Sequence, residues 1–139
     1  MPTSNLLYNL PRYKTDYNPP RLLRIILNEN FTRIDFGYQA DSKYIRGGWV
    51  TISPKTFIRS KGSDEKLVLT QAVNIPYTPD KHHFKSIVDN LSFSLFFPPL
   101  PDGVSSFDLI EEVKETPTSF NYHDIRINAS NAIPLSNRL

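Results

Sequence analysis

Apolar positions recur along this chain either at every second residue or in short unbroken runs. Phe31–Tyr38 (FTRIDFGY) sets Ile34, Phe36 and Tyr38 on one face and Arg33 and Asp35 on the other. A period of two marks a half-buried strand. Leu91–Phe97 (LSFSLFF) alternates in the same way, with Leu91, Phe93, Leu95 and Phe97 inward and Ser92 and Ser94 outward. Further strands are predicted for Arg21–Asn28, Gly48–Ile52, Thr56–Arg59, Leu67–Val73, Ser106–Ile110 and Tyr122–Asn128, because β-branched and aromatic residues dominate these runs and turn residues bound them. Helix is expected only as a turn over Lys81–Val88, opened by Pro79-Asp80.

Twelve prolines against five glycines reinforce this reading. Proline is hostile to helix interiors and is tolerated at strand edges and in loops. The predicted architecture is therefore all-β, an antiparallel immunoglobulin-like sandwich of about seven or eight strands with irregular terminal arms. Residues 1–20 form an amino-terminal arm, 21–128 the sandwich and 129–139 a carboxy-terminal tail. Both ends are polar and strand-poor, the composition of mobile or partner-dependent segments.

Composition narrows the class. The 139 residues suit one domain with a core of its own. With 39% hydrophobic and 22% charged residues, disorder, collagen and coiled coil are excluded. No apolar run approaches the ~20 residues of a spanning helix. Cysteine is absent, which removes disulfides, thiolate metal sites and a cysteine nucleophile. Sixteen Lys+Arg against fourteen Asp+Glu leave a net charge of +2, too little for a nucleic-acid footprint. Met1–Asp16 has no apolar h-region and does not read as a signal peptide.

The order from Phe31 to Glu111 resembles a family. TRIDFGY is followed by GGWVTISPKTFIR, EKLVLTQAVNIP, the Pro79-x-Lys81-x-x-Phe84 segment, LSFSLFFPPLP and SFDLIE, with FNYHDIRI closing the domain. The most specific piece is Phe97-Pro98-Pro99-Leu100-Pro101 with Ser106–Glu111 shortly after. This is similar to β-sandwich accessory modules of Bacteroidetes-type bacteria, often placed ahead of thioredoxin-like or hydrolase domains in exported proteins. The resemblance implies a periplasmic or extracellular setting and an accessory role beside another domain, without chemistry or cofactor of its own. The chain departs from that pattern in showing neither a signal peptide nor a catalytic domain after Leu139.

Three constellations are candidates for function. Tyr44, Arg46 and Trp49 lie close in sequence, and alternation sets Trp49 on the side of Thr51, opposite Val50. An exposed aromatic there would pack a sugar face or a partner; the competing reading is a core tryptophan. His82, His83 and His123 are the three imidazoles. Neighbours on an extended chain point to opposite faces, and no H-x-H, H-x-x-H or H-E-x-x-H spacing occurs, so a metal site is the weaker reading and surface histidines the stronger. Pro98–Pro101 fits P-x-x-P but is read first as strand termination. Glu111-Glu112 reads as a solvated turn rather than a catalytic carboxylate pair. No nucleophile elbow, Walker or dinucleotide motif appears. The leading reading is a non-enzymatic interaction module that binds another protein or domain. A carbohydrate-binding module is second and a histidine metalloenzyme third.

Overall fold

The computed structural model describes residues 5–17, 19–39, 49–78, 80, 82–83, 90–111, 120–128 and 132–135. Among them lie twelve strands: β1 (Asn5–Asn9), β2 (Arg21–Leu27), β3 (Thr32–Gln39), β4 (Trp49–Val50), β5 (Phe57–Ser60), β6 (Leu67–Val68), β7 (Gln71–Val73), β8 (His82–His83), β9 (Asn90–Phe97), β10 (Ser106–Ile110), β11 (Tyr122–Arg126) and β12 (Ile133–Leu135). The fold is all-β. A six-stranded sheet runs β12-β1-β2-β3-β9-β7, a four-stranded sheet β11-β10-β5-β6, and β4 pairs with β8 in a separate ribbon. Every paired strand is antiparallel. No helix among the described residues is long and apolar enough to cross a membrane.

The alternating strands are where they were expected, and their registers explain the core. Tyr8, Ile25, Ile34, Leu95 and Ala72 form one continuous row across β1, β2, β3, β9 and β7. Ile25, Ile34 and Leu95 in that row are completely buried. Opposite them the four-stranded sheet turns in Ile58, Phe107, Leu109, Tyr122 and Ile125, and the two sets belong to one apolar cluster. Aromatic contacts cross the gap: Phe36 meets Tyr122 at 5.4 Å between ring centroids. Two half-buried sheets each shed an apolar face this way, at roughly 1.5–3 kcal/mol per fully buried large side chain.

Two segments stitch the sheets together. The predicted single strand Leu67–Val73 divides: β6 belongs to the small sheet and β7 to the large one. At the crossing Leu69 N–H donates to Thr56 O (2.7 Å) and Thr70 N–H to Phe96 O (2.8 Å). On the opposite side the amino-terminal arm does the same. β1 pairs with β2, and the chain then runs along β11, where Lys14 and His123 exchange backbone hydrogen bonds of 2.8 Å. Tyr13 fixes this passage, accepting the Leu22 N–H on its hydroxyl (3.2 Å) and meeting Tyr122 edge-on at 5.5 Å. The ends are thus richer in strand than their polar composition suggested, since β1 and β12 both enter the large sheet. The helical turn expected over Lys81–Val88 is corrected at His82–His83, which form β8 by pairing with β4; the rest of that stretch lies outside the described residues.

The strand ending at Phe97 is closed by a threonine. The buried Thr32 hydroxyl donates to Pro98 O and accepts the Leu100 N–H, both at 3.1 Å. That pins the Pro98-Pro99-Leu100 segment across the sheet and buries Leu100.

Candidate functional site

Of the residues singled out from sequence, Tyr44 and Arg46 lie outside the described residues. Trp49 stands opposite His83 in the β4–β8 ribbon and Val50 opposite His82. His123 belongs to a different sheet, on β11, where its imidazole Nε2 lies 4.0 Å from an Asp16 carboxylate oxygen. Among the described residues no group of three or more His, Asp or Glu side chains is placed to hold a metal ion.

The structure draws attention instead to the outer face of the four-stranded sheet. Phe57 pairs with Val68 on one side and Ile110 on the other, so β6, β5 and β10 carry an apolar row facing away from the core. Phe57 and Ile110 are 6% and 7% exposed yet are not part of the core cluster, and Val68 is 47% exposed. The next row along is charged, with Arg59 opposite Asp108. Arg59 and Lys66 both lie against the Phe57 ring, their cationic groups 5.7 and 4.8 Å from its centroid. Together Phe57, Ile110, Arg59, Lys66, Asp108 and His123 line most of a hollow of about 500 Å³, a volume suited to one side chain or a small ligand.

Local chemistry shapes this face. A β-bulge interrupts the β10–β11 register between Phe107 and Leu109. At the bulge Asp124 takes a positive φ of 52°, and its N–H donates to an Asp108 carboxylate oxygen at 2.8 Å. Asx side chains tolerate this backbone better than most. Asp124 faces a neighbouring open groove of about 1420 Å³ that includes Arg12, Lys14 and Arg126. The hydrogen bond from Arg126 lowers the Asp124 pKa; burial opposes this, and the charges of Arg126, Lys61 and Lys14 add to the lowering. At the other end of β10, Glu111 is a tie between segments rather than half of a solvated pair. Its two oxygens accept the Ser53 and Phe120 N–H groups, each at 2.9 Å, while its own N–H donates to Asn121 Oδ1 at 2.8 Å.

Among the described residues, three of the four edges of the two larger sheets are occupied or blunted. Backbone from Arg12 to Lys14 covers β11. The Ala72 N–H of β7 donates to the Tyr77 hydroxyl at 3.0 Å. β12 carries Pro134, which has no N–H to offer an added strand.

Sequence reasoning missed Phe57, Arg59, Lys66 and Ile110. A signal existed: Phe57-Ile58 and Leu109-Ile110 are consecutive apolar pairs. In a strand, one member of such a pair must face away from the core. Compared with known proteins, the chain matches no family model, no curated protein and no solved structure.

Proposed function

We propose that this chain is a non-enzymatic β-sandwich accessory module that binds another polypeptide. The observation that carries the reading is the hollow on the outward face of the small sheet, floored by the buried Phe57 and Ile110 and rimmed by Arg59, Lys66, Asp108 and His123, with Val68 exposed beside it, in a fold whose two larger sheets have three of their four edges occupied or blunted among the described residues. An outward face normally sheds such residues to polar ones. The immunoglobulin-like frame belongs to the same proposal. With β6 and β7 counted as one strand that changes sheets, β2, β3, β5, β6–β7, β9, β10 and β11 make a seven-stranded frame; the ends and the β4–β8 ribbon are additions. The likeness of LSFSLFFPPLP and SFDLIE to Bacteroidetes-type accessory modules supports this role and an exported setting.

The test is selection of peptides from a displayed random library against the folded chain, with the Phe57→Ala chain as counter-target. Enrichment of peptides that bind the wild type and lose binding to Phe57→Ala supports the reading. No enrichment over an unrelated β-sandwich, or equal retention by both chains, overturns it.

A further inference from the structure

We infer that the hollow on the outer face of the four-stranded sheet receives a partner segment in which a carboxylate adjoins an apolar side chain. The inference rests on the interaction reading above and adds the chemistry of the partner. Its basis is the polarity of the hollow. Strand order places Arg59 and Lys66 at the β5–β6 end and Asp108, Asp16 and His123 toward β10 and β11. The apolar floor of Phe57 and Ile110 runs between.

The two ends differ in what they still lack. Asp108 has committed one oxygen to the Asp124 N–H, and Asp16 lies beside His123. Arg59 and Lys66 lie against the π-face of Phe57. Neither makes an ion pair among the described residues, although Asp108 stands directly across from Arg59 in the register. Cation–π contact at an exposed site satisfies a cation weakly, whereas a carboxylate takes charge-assisted hydrogen bonds from guanidinium and ammonium donors. A carboxylate entering at the β5–β6 end therefore meets two donors held over an aromatic ring. The adjoining apolar group packs on Val68, 47% exposed in the same row, and on the small part of Phe57 and Ile110 left open at the floor, and backbone N–H groups of the same segment face Asp108. A basic or neutral segment matches only the floor. A phosphate or a sugar matches the cations or the ring, but not both.

The probe pair is N-acetyl-L-phenylalanine and its carboxamide, which differ only in the carboxylate, titrated into the intact chain and followed by amide NMR shifts. The expected result is saturable shifts centred on Phe57, Arg59, Lys66 and Ile110 with the acid, and binding about tenfold weaker with the amide, the ratio that ~1.4 kcal/mol supplies. Lys66→Gln, at an exposed position that leaves the fold intact, brings the acid down to the level of the amide. Equal binding of acid and amide, shifts centred elsewhere, or no saturation by millimolar concentrations overturns the inference. Failure of the two proposals is distinguishable. Displayed peptides that bind through Phe57 but carry no acidic residue keep the interaction module and remove its acidic partner. A library without enrichment removes the module, whatever the probe pair does.

Discussion

Asp35 is the sharpest place to perturb this fold. It sits on the outer face of the large sheet at mid-strand, in register with Arg24 of β2 and Ser94 of β9. Its carboxylate is nearly buried, with 7% of the side chain exposed, and accepts from Arg24 Nε at 2.6 Å and Arg33 Nε at 2.8 Å. The Ser94 hydroxyl donates to it at 2.7 Å. Burial alone would raise the Asp35 pKa. The hydrogen bonds from Ser94, Arg33 and Arg24, with the charge of Arg33, outweigh it and hold the group below its ordinary 3.8. Asp35→Asn removes the charge and turns one acceptor into a donor facing a guanidinium. The two arginines are 50% and 40% exposed, so they recover water, and their bonds count nearer to surface pairs at about 0.2–1 kcal/mol each. The Ser94 bond to a buried charge is worth more, about 1.5–3 kcal/mol. The expected loss is about 2–5 kcal/mol at neutral pH, or very roughly 6–20 °C in Tm for a domain of this size.

Urea unfolding followed by circular dichroism, at a series of pH values, measures this loss. Because the folded pKa is depressed, the stabilisation is fully present above the unfolded value near 3.8 and is lost as pH falls through the folded pKa. The gap between wild type and Asp35→Asn should therefore be constant from pH 8 to about 5 and narrow below about 4. A gap under about 0.5 kcal/mol at neutral pH, or one that persists unchanged into acid, would refute the assignment of Asp35 as a cross-strand charge tie.

Two further predictions follow from the joints between the sheets. Tyr122 is completely buried and its hydroxyl donates to Pro20 O at 2.6 Å; Tyr122→Phe leaves that carbonyl without its donor and should cost about 1–3 kcal/mol in urea unfolding. Burial, with the neighbouring Tyr13 and Glu111, raises the Tyr122 pKa well above 10.0, so its share of stability is present below pH 10 and lost as pH rises beyond it; the Phe variant should lack that component, and identical alkaline profiles would remove it. Deletion of residues 1–14 uncovers the β2 and β11 edges, and light scattering should then find dimers or larger species with a lowered Tm; a monomer that melts like the full chain would show the arm to be dispensable.

Much of the framework was legible because strand periodicity is a local signal. FTRIDFGY and LSFSLFF alternate so cleanly that Ile34, Phe36, Leu91, Phe93, Leu95 and Phe97 could be named as inward, and SFDLI coincides with β10. The ends were not legible. β12 is only three residues long and is held by pairing with β1 from the other end of the chain, and β1 depends on β2 and β12 on either side, so neither carries a pattern of its own. The division of Leu67–Val73 between two sheets was also hidden, because alternation fixes which side chains share a face but not which sheet that face belongs to.

For the candidate site, the sequence by itself determined the residue types: consecutive apolar pairs in β5 and β10, flanking cations, and an aspartate next to them. Only the tertiary structure decided that these share one outward face, because that depends on β5 lying between β6 and β10 and on Phe57 standing opposite both Val68 and Ile110. The same dependence changed Glu111 from a turn residue into a tie between Ser53 and Phe120. It also gave Thr32 its hold on Pro98 and Leu100, and placed His123 on a different sheet from His82 and His83. Periodicity is written within a few neighbouring residues. Function on a β-sandwich face is written across strands, in registers set by contacts between segments tens of residues apart.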